Sequence, residues 1–445
     1  MRKALAEAQA GEVIRLAPGD YRLGGRVTLR ARGTPEKPII VRSQVPGTAV
    51  VYSDAGTYFK LYGAHWQFRG LDFQGSSGAA HAFHIVNDAD GVVLKGNRFQ
   101  NFHAAIKANG EGADPRRFPD GVRVMENVFV NDAPRKTDGS VVAIDVVGGR
   151  EWRIARNFVA DIAREGRAGA HSTALFVKGG ASKAVIDANL VMCEWRHSGG
   201  GRVGLSLGGG GTGAAYMDRR SLGACEGDCP EAVASRVTNN IVLNCPDEPG
   251  IYLNQAKGGQ VANNTIYNAY GIQARFPETR TEIADNLLTG TIWEREGARV
   301  RKANNLHTGL FDSASYLPGL RDHLTYRISD YHELFPSWIG KDQVTWVQGW
   351  IRTGADWLAG TWMGRRPDPF REWFVSPEAG ILQLQGGRSR IVDQGARPAK
   401  VDRDFCGQLR DAPADLGAIE YSAGQCRLSE ELVRRYGSLF TDLTE

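Results

Sequence analysis

The stretch Ala174-Leu175-Phe176-Val177-Lys178 carries a five-residue pattern that recurs along the chain. Its second and fourth positions are apolar, whereas its third and fifth positions vary freely. Related copies are Ala82–Val86, Ala105–Asn109, Ala143–Val147, Gly204–Gly208, Gly250–Asn254, Gly271–Arg275 and Thr291–Arg295. This alternation has the period of a β-strand with one buried face, so the pattern predicts repeated strands of one kind.

An asparagine that precedes a hydrophobic strand follows most copies of the pattern. These residues are Asn97, Asn127, Asn157, Asn189, Asn240, Asn264 and Asn286, at intervals of 30, 30, 32, 51, 24 and 22 residues. Self-similarity in a fixed phase at such a period is typical of a solenoid. Because each repeat contains short strands and no helical pattern, we predict a single-stranded parallel β-helix. The asparagines are interpreted as structural, stacked at one bend of the coil.

Composition narrows the functional classes. The chain has 445 residues, a formal net charge of +4 and 55 glycines, a residue that coiling β-structure uses at bends and bulges. The charge is too mild to indicate nucleic acid binding, and no nucleic-acid-binding motif is found. No run of 18 apolar residues occurs, so no membrane span is predicted.

The cysteines indicate disulfide bonds. Cys193, Cys225, Cys229 and Cys245 lie close together in sequence, and Cys406 and Cys426 lie near the C-terminus. We expect Cys406 to pair with Cys426, and we expect pairs among the other four, for which three connectivities remain open. Disulfides are typical of exported proteins, so we expect a secreted or periplasmic protein whose signal peptide lies outside this sequence.

The first 75 residues carry a family resemblance. The segments AGEVIRLAPGDYRL, GTPEKPIIVRSQVPGTAVV and WQFRGLDFQG resemble the opening of the chondroitinase B and alginate lyase family. Members of that family are right-handed parallel β-helices that cleave acidic polysaccharides. The resemblance implies that the helical turn near Ala4–Ala8 caps the open end of the solenoid. It also implies that Lys178, in LFVKGGASKAVIDANL, corresponds to the catalytic lysine of the family.

Three regions are predicted. Residues 1–305 form the β-helix with its N-terminal cap. Residues 306–380 form a partly helical appendage that holds six of the ten tryptophans, and residues 381–445 contain a closing β segment and a terminal helix. In the closing segment we interpret Asp404, Arg410, Asp415 and Glu420 as charged groups that pair inside the fold. The appendage is interpreted as packed structure.

Aligning the five-residue copies predicts which side chains face outward. One outer column contains His84, Lys107, Asp145, Phe176, Ser206, Tyr252, Gln273 and Trp293. The other contains Val86, Asn109, Val147, Lys178, Gly208, Asn254, Arg275 and Arg295. Neighbouring coils are about 4.8 Å apart, so Lys178 and Asn254 should lie roughly 10 Å apart along the axis. The alignment therefore predicts a trough several coils long, which suits an oligosaccharide.

The basic side chains of the trough point to an acidic polysaccharide as the partner. β-Elimination from a uronate needs a group that neutralises the carboxylate, a base for the C5 proton and a proton for the leaving oxygen. We assign Lys178, Arg275 and Tyr252 to these catalytic tasks. Substrate contacts are predicted for Asn254, Arg295, Arg202, Asp145, Glu231 and His171.

Metal ligands are not predicted. The family places acidic calcium ligands just upstream of its lysine, whereas this chain has His171-Ser172-Thr173-Ala174 there. A need for Ca²⁺ is thus left open.

Two alternatives to the lyase hypothesis remain. A glycoside hydrolase would need two carboxyl groups at suitable separation, for which Asp145, Glu231, Asp247 and Glu248 are available. A non-catalytic carbohydrate-binding solenoid would use the same trough without needing Lys178 for chemistry.

Overall fold

The protein is a parallel β-helix in which each regular coil contributes one strand to each of three long sheets. The computed structural model describes residues 1–112, 117–165, 172–197, 201–209, 212–223, 225, 229–246, 248–307, 369–396 and 400–421. Every strand pair within the three long sheets is parallel, for example Ile144 beside Leu175 and Leu175 beside Leu205. The predicted fold class is therefore confirmed.

The strands of the three sheets recur in a fixed order along the chain. Sheet 1 contains Val13–Leu16, Ile39–Ser43, Trp66–Arg69, Val93–Lys95, Arg123–Met125, Arg153–Ala155, Ala181–Ser182, Val185–Asp187, Ala232–Val233, Arg236–Thr238, Ala256–Ala262, Arg280–Ala284 and Arg301–Ala303. Sheet 2 contains Gly19–Arg22, Ala49–Tyr52, Asp72–Gln74, Arg98–Gln100, Val128–Val130, Phe158–Ala160, Leu190–Met192, Ile241–Cys245, Thr265–Ala269, Leu287–Leu288 and Leu306–His307. Sheet 3 contains Val27–Leu29, Thr57–Leu61, His81–Val86, Ile106–Asn109, Val142–Val147, Ser172–Lys178, Arg202–Leu207, Ile251–Asn254, Gly271–Arg275 and Thr291–Arg295.

The smaller elements lie outside these sheets. Two short strand pairs are Arg135–Lys136 with Arg164–Glu165 and Phe374–Ser376 with Ile381–Leu384. The α-helices are Arg2–Glu7, Pro369–Trp373 and Arg388–Ile391. The 3-10 helices are Ala214–Tyr216, Arg219–Ser221 and Pro377–Ala379.

The core of the solenoid consists of inward side chains stacked from coil to coil. In sheet 3, Leu175, Leu205, Ile251 and Ile272 are all fully buried and occupy one register column. Each buried side chain of this size contributes about 1.5 to 3 kcal/mol relative to an exposed one. The alternation of apolar and variable residues thus sets which face of each strand is inside, as predicted.

A ladder of buried asparagines runs along the bend before sheet 2. The Asn127 amide donates to Asn157 Oδ1 at 3.1 Å, and the Asn157 amide donates to Asn189 Oδ1 at 2.9 Å. Each Oδ1 also accepts the backbone N–H of the preceding asparagine, as Asn157 Oδ1 does from Asn127 at 3.0 Å. The ladder continues through Asn240, Asn264 and Asn286. The stacking is therefore confirmed, and Asn305 adds a further member that was not predicted.

A helix covers the N-terminal end of the solenoid. The helix Arg2–Glu7 buries Leu5 against the first coils, and Arg2 donates to the carbonyl oxygen of Leu23 at 2.5 Å. Residues 308–368, which include most of the predicted tryptophan-rich appendage, lie outside the described residues, as do residues 422–445, which include the terminal helix predicted at Ser429–Tyr436.

The C-terminal described segments pack on the outer face of sheet 2. Phe370, Phe374 and Phe405 are fully buried there, in one hydrophobic cluster with Phe158 and Leu190 of the sheet. In place of the predicted closing β segment, residues 381–396 and 400–421 form one strand of an antiparallel pair, a short helix and irregular structure.

A buried ion pair joins the closing segment internally. The Arg410 guanidinium lies 3.1 Å from the Glu420 carboxylate, with both side chains fully buried. It also donates to the carbonyl oxygens of Asp415 and Gly417. The structural interpretation of these charges is confirmed.

Disulfide bonds hold the long excursion between the sixth and eighth strands of sheet 3. Cys193 is bonded to Cys245, and Cys225 is bonded to Cys229. This connectivity is one of the three left open by the sequence. Cys406 is also disulfide-bonded, whereas its predicted partner Cys426 lies outside the described residues.

Candidate active site on the outer face of sheet 3

The predicted outer columns are present in the strand register. Ser206 pairs with Tyr252 and Tyr252 with Gln273, while Asn254 pairs with Arg275. Arg275 in turn pairs with Arg295. We call the surface formed by Lys178, Tyr252, Asn254, Arg275 and Arg295 the trough. It crosses the last five coils of sheet 3.

Lys178 ends its strand with its side chain lying towards the next coil. Its Nζ lies 4.5 Å from the centre of the Phe176 ring, and its aliphatic carbons contact the backbone at Gly209. A Cβ atom at Gly209 would approach Lys178 Cδ to 2.9 Å, so only glycine leaves room for this course of the side chain. The ammonium group makes no hydrogen bond or ion pair with any part of the chain that the structure describes. It is therefore available to a bound molecule.

Gly208 occupies the column between Lys178 and Asn254. Its φ of +76° lies in the left-handed region, and a Cβ atom there would lie 1.7 Å from the carbonyl oxygen of Asn254. Both facts require glycine. The coil between Lys178 and Asn254 therefore has no side chain in this column, which leaves a gap in the trough wall as predicted.

The Tyr252 hydroxyl is held by two neighbours. Asn254 Nδ2 donates to Tyr252 Oη at 2.9 Å, and Arg275 Nη1 donates to the same oxygen at 3.5 Å. These two donors occupy the acceptor positions of the phenol oxygen. The proton of the hydroxyl must therefore point elsewhere, which makes Tyr252 a donor towards a bound molecule. Asn254 itself is buried, with 4% of its surface exposed, so the substrate contact predicted for it is not available to this side chain, which donates to Tyr252 instead.

Arg275 and Arg295 share one carboxylate. Arg275 Nε lies 2.5 Å from Glu296 Oε2, and Arg295 Nη2 lies 3.8 Å from Glu296 Oε1. Burial alone would lower the pKa of the Arg275 guanidinium, but its hydrogen bonds to Glu296 and Tyr252 raise it, so Arg275 stays charged. Glu296 was not predicted. Its position directly after Arg295 in the sequence is the feature from which a contact with the arginines could have been predicted.

Glu231 supports the site from beneath and is not placed to contact a substrate. It is 3% exposed. Its carboxylate accepts the backbone N–H of Gly179 at 2.7 Å and both the N–H and the hydroxyl of Thr212, at 3.2 and 2.9 Å. The predicted substrate contact is therefore wrong for this side chain. Glu231 instead fixes the turn that follows Lys178.

Arg202 is also turned inward. It is 1% exposed, and its Nη1 donates to the carbonyl oxygens of Cys193 and His197 at 2.7 and 2.9 Å. Glu194 lies 3.6 Å from the same nitrogen. A substrate cannot reach this guanidinium, so the prediction for Arg202 is wrong. Its position at the start of a strand, where the excursion folds back over it, explains the burial.

The earlier coils of the same face carry charges that are already paired. Lys107 lies 2.5 Å from Asp145, and Lys60 lies 2.7 Å from Glu111. Burial lowers the pKa of His84, whose Nε2 lies 2.6 Å from Asn109 Oδ1, so this imidazole is neutral at neutral pH. Positive charge on this face is consequently concentrated at the trough. Asp145 lies outside it, and His171 lies outside the described residues.

Part of the long excursion forms a wall beside Lys178. Asp218 is fully buried, and its backbone N–H donates to the Gly179 carbonyl oxygen at 2.7 Å. Its carboxylate accepts the Gly149 N–H at 3.0 Å and binds Arg220 at 2.7 Å, while Arg220 reaches Asp120 at 2.8 Å. Within the described residues this segment therefore lies beside the candidate site on sheet 3, and long loops of this kind often carry function.

Two general features of the described residues bear on function. They contain no group of three or more His, Cys, Asp or Glu side chains that could hold a metal ion. The helices among them are all too short and too polar to cross a membrane. Whether the protein needs calcium is left open, as it was by the sequence.

Comparisons with known proteins give a likeness of fold. Neither a family model nor a curated protein matches the sequence. Among solved structures, a pectate lyase, Pel9A, has a TM-score of 0.49 at 15% identity, covering 94% of this chain and 90% of that one. An alginate lyase from Paenibacillus sp. str. FPU-7 has a TM-score of 0.42 at 14% identity, covering 69% and 92%. A rhamnogalacturonan lyase has a TM-score of 0.43 at 13% identity, covering 68% and 81%.

These similarities do not decide the chemistry. An α-1,3-glucanase from Streptomyces thermodiastaticus is found at a TM-score of 0.40 and 14% identity, covering 69% of this chain and 65% of that one. All of these scores lie below 0.5, and the function must be argued from the site. The chain has the parallel β-helix fold that several polysaccharide lyases share.

Proposed function

We propose that the protein is a polysaccharide lyase that cleaves a uronate-containing acidic polysaccharide by β-elimination. The observation that carries this proposal is a lysine, Lys178, that is unpaired within the described residues and lies in the same trough as a tyrosine whose hydroxyl is held by a guanidinium. The trough crosses five coils and carries the cations Lys178, Arg275 and Arg295, which suits an extended anionic chain.

The reaction needs a base that removes one proton, an acid that supplies another, and a site that binds the substrate carboxylate. A base takes the proton from C5 of the uronate, and the electrons of that bond form the C4=C5 double bond. The C4–O bond then breaks, and the leaving oxygen keeps its electron pair and receives a proton. Positive charge beside the carboxylate stabilises the negative charge that develops during proton removal.

Lys178 is the group we assign to proton removal. Its ammonium nitrogen is unpaired within the described residues and lies 4.5 Å from the centre of the Phe176 ring, with its stem passing beside Gly209. A base must come within hydrogen-bond reach of its proton, and this course directs Nζ along the trough. Turnover requires the neutral amine, which delivers its acquired proton to solvent after each cycle.

Tyr252 is the group we assign to the leaving oxygen. Because Asn254 and Arg275 occupy its acceptor positions, its proton points into the trough. Donation of that proton leaves a phenolate beside the Arg275 guanidinium, which stabilises the negative charge. The phenolate then regains a proton from water.

Arg275 and Arg295 are the groups we assign to the substrate carboxylate. Glu296 neutralises part of their charge, so together these three side chains carry one net positive charge. A uronate carboxylate that binds here replaces Glu296 as partner for one of the two guanidinium groups. Arginine suits this task because its planar fork can bind a carboxylate through two hydrogen bonds.

The hydrolase alternative is weakened by the state of the acidic residues. The Glu231 carboxylate is buried and accepts three hydrogen bonds, and Asp145 is paired with Lys107. Neither is placed as a general acid or base. Asp247 lies outside the described residues. The binding-solenoid alternative needs the trough but assigns no chemistry to Lys178.

One experiment separates the three hypotheses. The protein is incubated with polygalacturonate, polyguluronate, polymannuronate and glucuronate-containing polymers, and absorbance of the unsaturated product is recorded. A lyase produces this absorbance together with new chain ends. New reducing ends without the absorbance would indicate a hydrolase, and binding without either signal would indicate a non-catalytic solenoid.

We further propose that the protein is exported. The bonds Cys193–Cys245 and Cys225–Cys229 support this, because disulfides persist in oxidising compartments. Thiol titration of the unfolded, unreduced protein is expected to find no free thiol. Six free thiols would remove the argument for export.

A further inference from the structure

A second polar cavity lies on a different face of the solenoid. It has a volume of about 420 Å³, lies between the outer face of sheet 1 and residues 400–404 of the closing segment, and is partly open to solvent. This volume is in the range of small-molecule sites, which span roughly 300 to 1,000 Å³. Sheet 1 and sheet 3 are separate faces of the coil, so the cavity is not part of the trough.

The lining of the cavity is predominantly basic. Among the described residues that line it, five side chains are cationic: Arg153, Arg156, Arg236, Lys400 and Arg403. Asp187, Asp402 and Asp404 are the acidic ones, so the described lining carries two net positive charges. A concave surface with this balance attracts an anion.

Two of the acidic groups are already engaged. Asp187 Oδ1 accepts from the Thr238 hydroxyl at 2.8 Å and from Asn239 Nδ2 at 3.1 Å. Asp404 is buried and accepts the backbone N–H groups of Gln408 and Glu420, at 2.8 and 3.0 Å. These carboxylates hold the walls of the cavity together, while Asp187 also lies 3.7 Å from Arg153 and Glu282 lies 3.1 Å from Lys400.

Arg236 is the cation that lacks a partner here. It is exposed and makes no hydrogen bond or ion pair with the described residues. Arg153 lies in the same register column two coils away, because both pair with Val185. The coil spacing puts the two backbones roughly 10 Å apart. Arg153 has only a 3.7 Å contact with Asp187.

We infer that this cavity is a second binding site for a carboxylate-bearing oligosaccharide, separate from the trough. Arg236 and Arg153 would each bind a carboxylate, and their separation of two coils matches two sugar rings along one chain. The choice of an acidic sugar rests on the proposed function. The site holds the polymer on sheet 1 while another part of the same or a neighbouring chain occupies sheet 3.

Binding stoichiometry tests the inference. Hexasaccharides of galacturonate and of guluronate are titrated calorimetrically into the full chain at low salt, with a neutral cello-oligosaccharide as ligand control. Two sites per chain are expected for an acidic probe. Arg236→Ala should weaken one of them roughly tenfold, because a charge-assisted bond to a carboxylate is lost.

Arg123→Ala is the matched control. Arg123 is exposed and lies one coil before Arg153 in the same column, outside the cavity lining. This variant should bind like the wild type. Arg236→Ala should also turn over hexasaccharides normally, while its KM for the polymer rises.

The outcomes separate this inference from the proposed function. If the wild type binds an acidic probe at one site only, or if Arg236→Ala and the double variant with Arg153→Ala keep wild-type stoichiometry and affinity, the second site is refuted. If the wild type binds no acidic probe at all, the second site and the proposed function both fail. If Arg275→Ala changes neither binding nor turnover, the trough assignment fails instead. Unchanged thermal unfolding of each variant confirms that the fold is retained.

Discussion

Replacing Lys178 with alanine removes an ammonium group that has no hydrogen bond or ion pair within the described part of the chain. What the folded state loses is the contact of Nζ with the Phe176 ring at 4.5 Å and the packing of the stem on Gly209. A cation over an exposed aromatic ring contributes about 0.5 to 1 kcal/mol. The variant should therefore unfold within about 1 kcal/mol of the wild type.

The catalytic loss should be far larger. A positioned general base contributes roughly a hundredfold to ten-thousandfold to the rate. This corresponds to about 3 to 5 kcal/mol of transition-state stabilisation. If Lys178 acts on the C5 proton alone, kcat should fall by that factor while KM changes little, because the carboxylate contacts of Arg275 and Arg295 remain.

The assay is initial-rate absorbance of the unsaturated product on the best polymer of the panel. Lys183→Ala serves as the control, because Lys183 is exposed, pairs at 3.7 Å with Glu151 and lies between two strands of sheet 1, outside the trough. It should retain full activity. Near-normal kcat in Lys178→Ala would refute the assignment of the base, and loss of the cooperative unfolding transition would show a structural role instead.

Three further outcomes are expected. Asn157→Ala should destabilise the fold by roughly 2 to 5 kcal/mol in denaturant unfolding, because the buried N–H of Asn127 loses its acceptor. An effect below 1 kcal/mol would contradict the importance of the ladder. Glu296→Gln should raise the affinity for an acidic hexasaccharide by up to roughly fivefold, because Arg275 loses a competing charge; weaker binding would show that Glu296 positions the guanidinium. Burial alone would raise the pKa of Asp218, but hydrogen bonds from Arg220 and Gly149 lower it below its usual value. The stabilisation from Asp218 is therefore complete above the usual carboxyl range and is lost as the pH falls through the lowered pKa. Hydrogen exchange of residues 212–223 should accelerate there, and Asp218→Asn should remove this dependence.

Much of the fold could be predicted because the β-helix repeats one simple rule. Alternation with period two decides which side chains are buried, and the register then aligns equivalent positions of successive coils. Leu175, Leu205 and Ile251 could be placed in the core this way. The same rule placed Asn254 beside Arg275 on the outer face. These assignments need only local sequence and the coil spacing.

The rule fails where the chain leaves the regular coil. Arg202 starts a strand, and the excursion around it supplies Cys193 and His197 carbonyls that bury its guanidinium. Glu231 lies in a coil position whose partners, Gly179 and Thr212, come from other parts of the chain. Contacts of this kind depend on how the loops fold over the solenoid. The alternation of apolar and polar residues carries no information about that.

The cavity beside sheet 1 illustrates the same limit. Arg153 and Arg236 share a column that the register can predict, but the opposite wall comes from residues 400–404, far away in sequence. The exposed arginine column becomes one wall of a cavity only because the closing segment packs beside it and supplies the opposite wall.

The asparagine ladder has a consequence for how such a protein can change length during evolution. Consecutive rungs are between 19 and 51 residues apart, yet every rung makes the same amide contact. A coil can therefore gain or lose loop residues without disturbing the ladder, whereas the ladder itself grows or shrinks by one complete coil at a time. Duplication of one coil, with its asparagine, its core pair and its two outward positions, would lengthen the proposed sugar-binding surface by about one ring. The length of substrate that fits this surface would then change by one sugar ring per duplication.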